Sequence, residues 1–185
     1  VGSEMCIRDS GNYTVYSFIA PILQTVGGFA SADTVVFLFV FGASGIIGTT
    51  IATKYATRHV SSSLVVPLGV LATSLALVVP ACSSYVSVAV LFVVWGAAVT
   101  ALIIGFQTVL LSVASDAADV ATSLYSGIFN VGIGGGAFLG SLISEHAGFV
   151  PLSFAGATLV AAATLFCLAV WFKTGSAVLP SNKGS

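Results

Sequence analysis

The chain has 185 residues, 57% of them hydrophobic and 6% charged, with five basic and six acidic side chains and a net charge of −1. Soluble globular domains carry about 25% charged residues, so a water-soluble enzyme or binding module is excluded; the net charge itself says nothing about nucleic acid, because the charges sit on loops, and no nucleic-acid partner is expected. Cys6, Cys82 and Cys167 form no CxxC pair and have no His at ligand spacing, so neither a disulfide framework nor a metal or cofactor site is expected.

What charge there is falls between long uncharged runs: 11–32, 34–53, 60–115, 120–144 and 147–172. A bilayer core about 30 Å thick needs roughly 20 apolar residues of helix to cross it. Four runs suit one crossing each, and Pro80-Ala81-Cys82-Ser83-Ser84 divides the longest into two. An all-α integral membrane protein of six crossings is therefore expected, with the lipid bilayer as its solvent.

Taken in chain order, residues 1–10 (Val1-Gly2-Ser3-Glu4-Met5-Cys6-Ile7-Arg8-Asp9-Ser10) have neither the apolar core nor the cleavage pattern of a signal peptide. They look like translated sequencing-adapter read-through and are set apart as non-native. The transmembrane domain is then 11–174. Its first crossing, Gly11–Val26, is short, as expected of a fragment whose own start lies upstream. The remaining spans are Thr34–Thr53, Ser63–Val79, Val86–Val113, Ala121–Ser144 and Leu152–Phe172, and residues 175–185 form a small polar tail, expected to be disordered. Pro21 is expected to kink the first span.

Numbering the loops alternately places Arg8, Lys54, Arg58, Lys173 and Lys183 on one face and Asp33 and Glu145 on the other. Basic residues accumulate on the cytoplasmic side, so both ends are expected there, and Cys82, in the turn on the opposite face, is expected to meet a membrane-impermeant thiol reagent.

Two spans carry small residues every fourth position: Ser44, Gly48, Ala52 and Ala56 in the second, and Gly132, Gly136, Gly140 and Ser144 in the fifth. Such ridges bring helix backbones together where lipid supplies no hydrophobic drive. They are the middle helices of spans one to three and four to six, and a three-helix unit used twice is necessarily inverted in the membrane.

Three apparent motifs dissolve in this setting. Gly42-Ala43-Ser44-Gly45 resembles the loop of an intramembrane serine protease, but His59 and His146 both lie in loops, away from a mid-span serine. Gly132-Ile133-Gly134-Gly135-Gly136-Ala137 imitates a dinucleotide loop inside an uncharged run, where no water-exposed strand-to-helix turn is expected. Asn12-Tyr13-Thr14 is a glycosylation pattern within the first span and is expected to be silent. Asn130 is different. A carboxamide near the middle of a span needs partners, either across a helix interface or in a solute cavity. Asn12 and Tyr16, and Ser126 and Asn130, are each four residues apart and form polar stripes on their helices.

The series Tyr16-x-x-Ile19-x-Pro21, Gly28-Phe29, Phe41-Gly42-x-x-Gly45-x-x-Gly48, Trp95-Gly96, Gln107, Ser115-Asp116-Ala117-Ala118-Asp119-Val120-Ala121 and Asn130-x-Gly132-Ile133-x-x-Gly136-Ala137-x-x-Gly140 resembles the C-terminal half of a major facilitator superfamily transporter. Its nearest likeness is the bacterial sugar-efflux and drug:H⁺ antiporter branch. The family's Gly-x-x-x-Asp-Arg loop departs here, with Thr57 at the Asp position before Arg58. The resemblance implies two inverted three-helix repeats in the inner (plasma) membrane. It implies proton-coupled efflux of a small solute such as a sugar, nucleoside or drug by alternating access, with an absent N-terminal half as partner. It also implies that the first and fourth spans line the cavity, which makes Tyr16 and Trp95, with Asn130, Ser126 and Asn12, the expected substrate-binding residues. The competing expectation is an oligomeric six-helix channel or membrane scaffold. A channel would carry recurring polar or charged rings along a pore, which the spans lack.

Overall fold

The computed structural model describes residues 2–55 and 60–174, which form seven α-helices and no strand. In order they are α1 (Gly2–Tyr16), α2 (Ile19–Thr25), α3 (Ser31–Tyr55), α4 (Val60–Ala81), α5 (Tyr85–Val113), α6 (Ala118–His146) and α7 (Phe149–Thr174). A 3₁₀ turn, Ser115–Ala117, leads into α6. Five helices contain stretches long and apolar enough to cross a membrane: Ser31–Lys54, Leu64–Ala81, Tyr85–Ser112, Ala118–His146 and Phe149–Ala169. The chain is a multi-pass membrane protein by this measure. The expected tail, 175–185, and the loop holding Thr57 and Arg58 lie outside the described residues.

The first expected crossing departs from the sequence reading. It is not one helix but two, α1 and α2, broken at Ser17–Phe18. Proline has no N–H, and its ring collides with the carbonyl four residues earlier; for Pro21 that carbonyl is Ser17's. The chain responds one turn before the proline: Phe18 N–H turns to the Val15 carbonyl at 3.1 Å, and helical bonding resumes with Ile22 N–H on Phe18 at 3.0 Å. Five of the six expected spans thus fall on long apolar helices, and the first is divided between two shorter ones. α2 ends in a turn whose pivot is Gly28, at φ 67°, a left-handed conformation that costs glycine nothing. α3 then starts with the Asp33 carboxylate accepting the Ala30 N–H at 3.2 Å, a negative group at a helix N-terminus. Gly148, at φ 85°, closes α6 in the same manner, with the N–H groups of Ala147 and Gly148 both on the Ile143 carbonyl.

α3 packs on α5, α1 on α6 and α7, and α4 on α5 and α7. Both small-residue ridges sit in these seams. A Cβ on Gly48 would strike the Ala97 backbone, and one on Gly96 would strike the Phe41 carbonyl, so α3 and α5 touch main chain to main chain. On α6, a Cβ on Gly136 would stand 2.5 Å from the Ser10 carbonyl oxygen and one on Gly140 2.8 Å from that of Thr14. Contact of this closeness is how helices associate in lipid. Phe37, Phe92, Trp95, Leu71, Leu102 and Val160 fill the centre, each nearly or fully buried.

Candidate functional site

Trp95, on α5, is completely buried, and its indole Nε1 donates to Asn12 Oδ1 on α1 at 2.9 Å. Asn12 is itself 4% exposed. This bond ties α1 to α5 and engages the indole N–H and the Asn12 carbonyl with each other. Their role in this structure is to hold α1 in place. Tyr16 stays half-buried, edge-on to Trp95 with ring centres 6.1 Å apart and tilted against Phe41 at 5.1 Å.

Ser126 and Asn130 lie elsewhere. Both are exposed on α6, and Asn130 Nδ2 donates to the Ser126 carbonyl of its own helix at 2.7 Å. Among the described residues no interhelical bond to Asn130 is formed. The exposed surface of α6 has two sides. Thr122, Ser126 and Asn130 descend one side at four-residue steps, with Ser123 beside them. Val120, Leu124, Val131 and Phe138 occupy the other, each more than 60% exposed. The hydroxyls of Thr122 and Ser123 bond back to their own helix, to the carbonyls of Ala118 and Asp119, both at 2.8 Å. Asn130, whose carboxamide carries more hydrogen-bonding capacity than one bond uses, is the group on this side best able to bind something else.

The two parts are connected by rings that sequence reasoning missed. Phe129, next to Asn130, meets Tyr13 edge-on at 5.8 Å, and Tyr13 meets Tyr16 at 5.9 Å. A row of rings therefore runs from α6 across α1 to Phe41 on α3. The signal for Tyr13 was its three-residue spacing from Tyr16; for Phe129 there was none, because its partner is distant in sequence. Beside this row the space is small. The cavity bounded by Asn12, Tyr13, Leu71, Leu102 and Phe129 holds about 10 Å³, the space of one water at most.

Three remaining features are settled by position. Arg8 and Asp9 are buried and ion-paired, Arg8 Nε to Asp9 Oδ1 at 2.8 Å, with the guanidinium 4.7 Å from the Phe106 ring centre. Both residues belong to segment 1–10, and no function is assigned to them. Ser44 is buried against Gly96, its hydroxyl on the Phe41 carbonyl at 2.6 Å, which is a packing role. Cys82 is buried, its thiol near the Val78 carbonyl, and burial raises its pKa. A thiol reagent reaching that turn meets exposed Ser83 and Ser84 instead. Compared with the models of known protein families, the chain matches none.

Proposed function

We propose that the chain is a six-crossing half of a major facilitator transporter, with α1 and α2 together forming the first crossing. It moves a small organic solute by alternating access, outward and in exchange for protons, across the inner membrane with both ends cytoplasmic. The observation that carries this reading is the polar side of α6. The Thr122 and Ser123 hydroxyls are satisfied within α6, but the Asn130 carboxamide makes one hydrogen bond there, and turned to lipid it would bear the cost of burying its remaining polar capacity. Polar groups in such helices face a cavity or a partner. On this reading the polar side of α6 borders a space shared with the N-terminal half that the resemblance implies.

The helix pairing supports the two-repeat reading. Take α1 with α2 as the first crossing and exchange crossings one to three for four to six. The α3–α5 contact then becomes the α6–α1 contact, α4–α5 becomes α7–α1, and α4–α7 maps onto itself. The ridges follow the same exchange, since Gly48 of the second crossing lies on the fourth and Gly136 of the fifth lies on the first. Orientation rests on the segregation of the basic residues; export and proton coupling rest on the resemblance.

In the complete transporter, Asn130→Ala is expected to raise the half-saturating solute concentration about tenfold, the worth of one hydrogen bond of about 1.4 kcal/mol, at unchanged membrane abundance. Phe166→Ala, on the exposed surface of α7, is expected to change neither. Uptake into inverted vesicles of a panel of labelled sugars and nucleosides reads both. Equal losses at the two positions, at matched protein levels, would remove α6 from the solute path.

A further inference from the structure

α4 and α5 are antiparallel neighbours joined by the turn Cys82-Ser83-Ser84, and they do not close on one another near that turn. Between them lies a groove of about 600 Å³, open to the surface and walled by Thr73, Leu77 and Ala81 on one side and Val86, Val90 and Val94 on the other. It forms no part of the polar side of α6. We infer that this groove is a lipid site, which holds one acyl chain of a membrane phospholipid with its headgroup at the turn.

The lining argues for hydrocarbon and against water or a polar solute. Thr73 directs its hydroxyl to the Gly69 and Val70 carbonyls of its own helix, both at 2.9 Å, and Ser74 directs its hydroxyl to Val70 at 2.7 Å. Their polar atoms are satisfied within α4 and their methyl and methylene groups remain as wall. The other groove residues named are apolar. The groove is also continuous with the surface that α4 and α5 present to the bilayer: Val66, Leu77, Val86 and Val90 are all more than half exposed. Both helices contain stretches able to cross the membrane. An apolar space open to hydrocarbon does not hydrate, and left empty it forfeits the contacts of its lining. The mouth has the opposite character. Ser83, Ser84 and Ser87 are exposed there beside Tyr85, and hydroxyls with an amphipathic ring suit headgroup depth. No Lys or Arg belongs to the groove or to the turn, so hydroxyls rather than positive charge receive the headgroup, and a zwitterionic lipid fits as well as an anionic one.

The inference requires only that α4 and α5 span the bilayer. It is tested with benzoylphenylalanine placed at Val90 in the full chain, in membranes fed an alkyne-tagged fatty acid. Irradiation is expected to give a tagged product of monomer size, several-fold more abundant than from the same probe at Leu165, which is equally open on α7. Filling the groove with Thr73→Trp is expected to lower the Val90 yield to the Leu165 level. Equal yields at Val90 and Leu165 would mean ordinary boundary lipid and overturn the site, with or without the filled variant. A dimer-sized product at Val90 would place a second copy of the chain there and overturn it equally.

Discussion

Gly48→Val is expected to destabilise the bundle by about 3 kcal/mol, the upper range for overpacking a close-packed seam, because the added carbons meet the Ala97 main chain rather than a side chain that could move. Gly42→Ala, on the same helix, is expected to change nothing or to add up to about 1 kcal/mol, the helix-propensity difference between the two residues, because a Cβ there meets nothing within 4 Å. Unfolding in mixed detergent micelles reads both. The opposite signs on one helix separate close packing from any general intolerance of glycine replacement; a loss at Gly42 as large as at Gly48 would contradict the seam.

The second large effect belongs to the Asn12–Trp95 pair. Trp95→Ala empties a site with no exposure and is expected to cost about 3–5 kcal/mol. The hydrogen bond is isolated by smaller changes. Trp95→Phe keeps a ring but strands the Asn12 carbonyl, and Asn12→Leu strands the indole N–H. Each single variant is expected to lose more than its share of the double variant, with a coupling of about 1 kcal/mol, between the average of roughly 0.6 and the maximum of roughly 1.7 measured for such bonds in membrane bundles. Strict additivity would mean that the two groups do not bond in the membrane. The same cycle bears on function: if Trp95→Phe raised the half-saturating concentration of solute without loss of stability, the indole would be a contact after all.

The helices that could be read from the sequence are those whose limits are set by water. Lys54, Asp116, Asp119 and Glu145 end or flank uncharged runs because charge does not enter hydrocarbon without a large cost, and the five intact crossings follow. The ridges at Gly48 and Gly136 were legible for a similar reason, since a four-residue period of small side chains has one geometric use in a helix pair. The break in the first crossing was half legible. Pro21 announced it, but the carbonyl it disrupts belongs to Ser17, so the helix ends a turn earlier than the proline itself. The site was less legible still. Trp95 and Asn12 are 83 positions apart, and nothing periodic in either segment shows that each satisfies the other. That pairing sets Asn12 and Trp95 apart from the other three candidates: they are buried against each other, whereas Tyr16 is half-buried and Ser126 and Asn130 are exposed on α6.

The central claim is that the polar side of α6 borders water within the membrane. It is tested most directly by single cysteines along α6 in the complete protein, with Cys6, Cys82 and Cys167 replaced by serine or alanine, and by their rates of reaction with a small charged thiol reagent added to either side. The expected result is fast modification at Thr122→Cys, Ser126→Cys and Asn130→Cys and slow modification at Val120→Cys, Leu124→Cys and Val131→Cys, repeating with the helical period and slowed by saturating solute. Uniformly slow reaction along both sides of α6 would mean that its hydroxyls and carboxamide meet lipid or another helix, and would contradict the transport path.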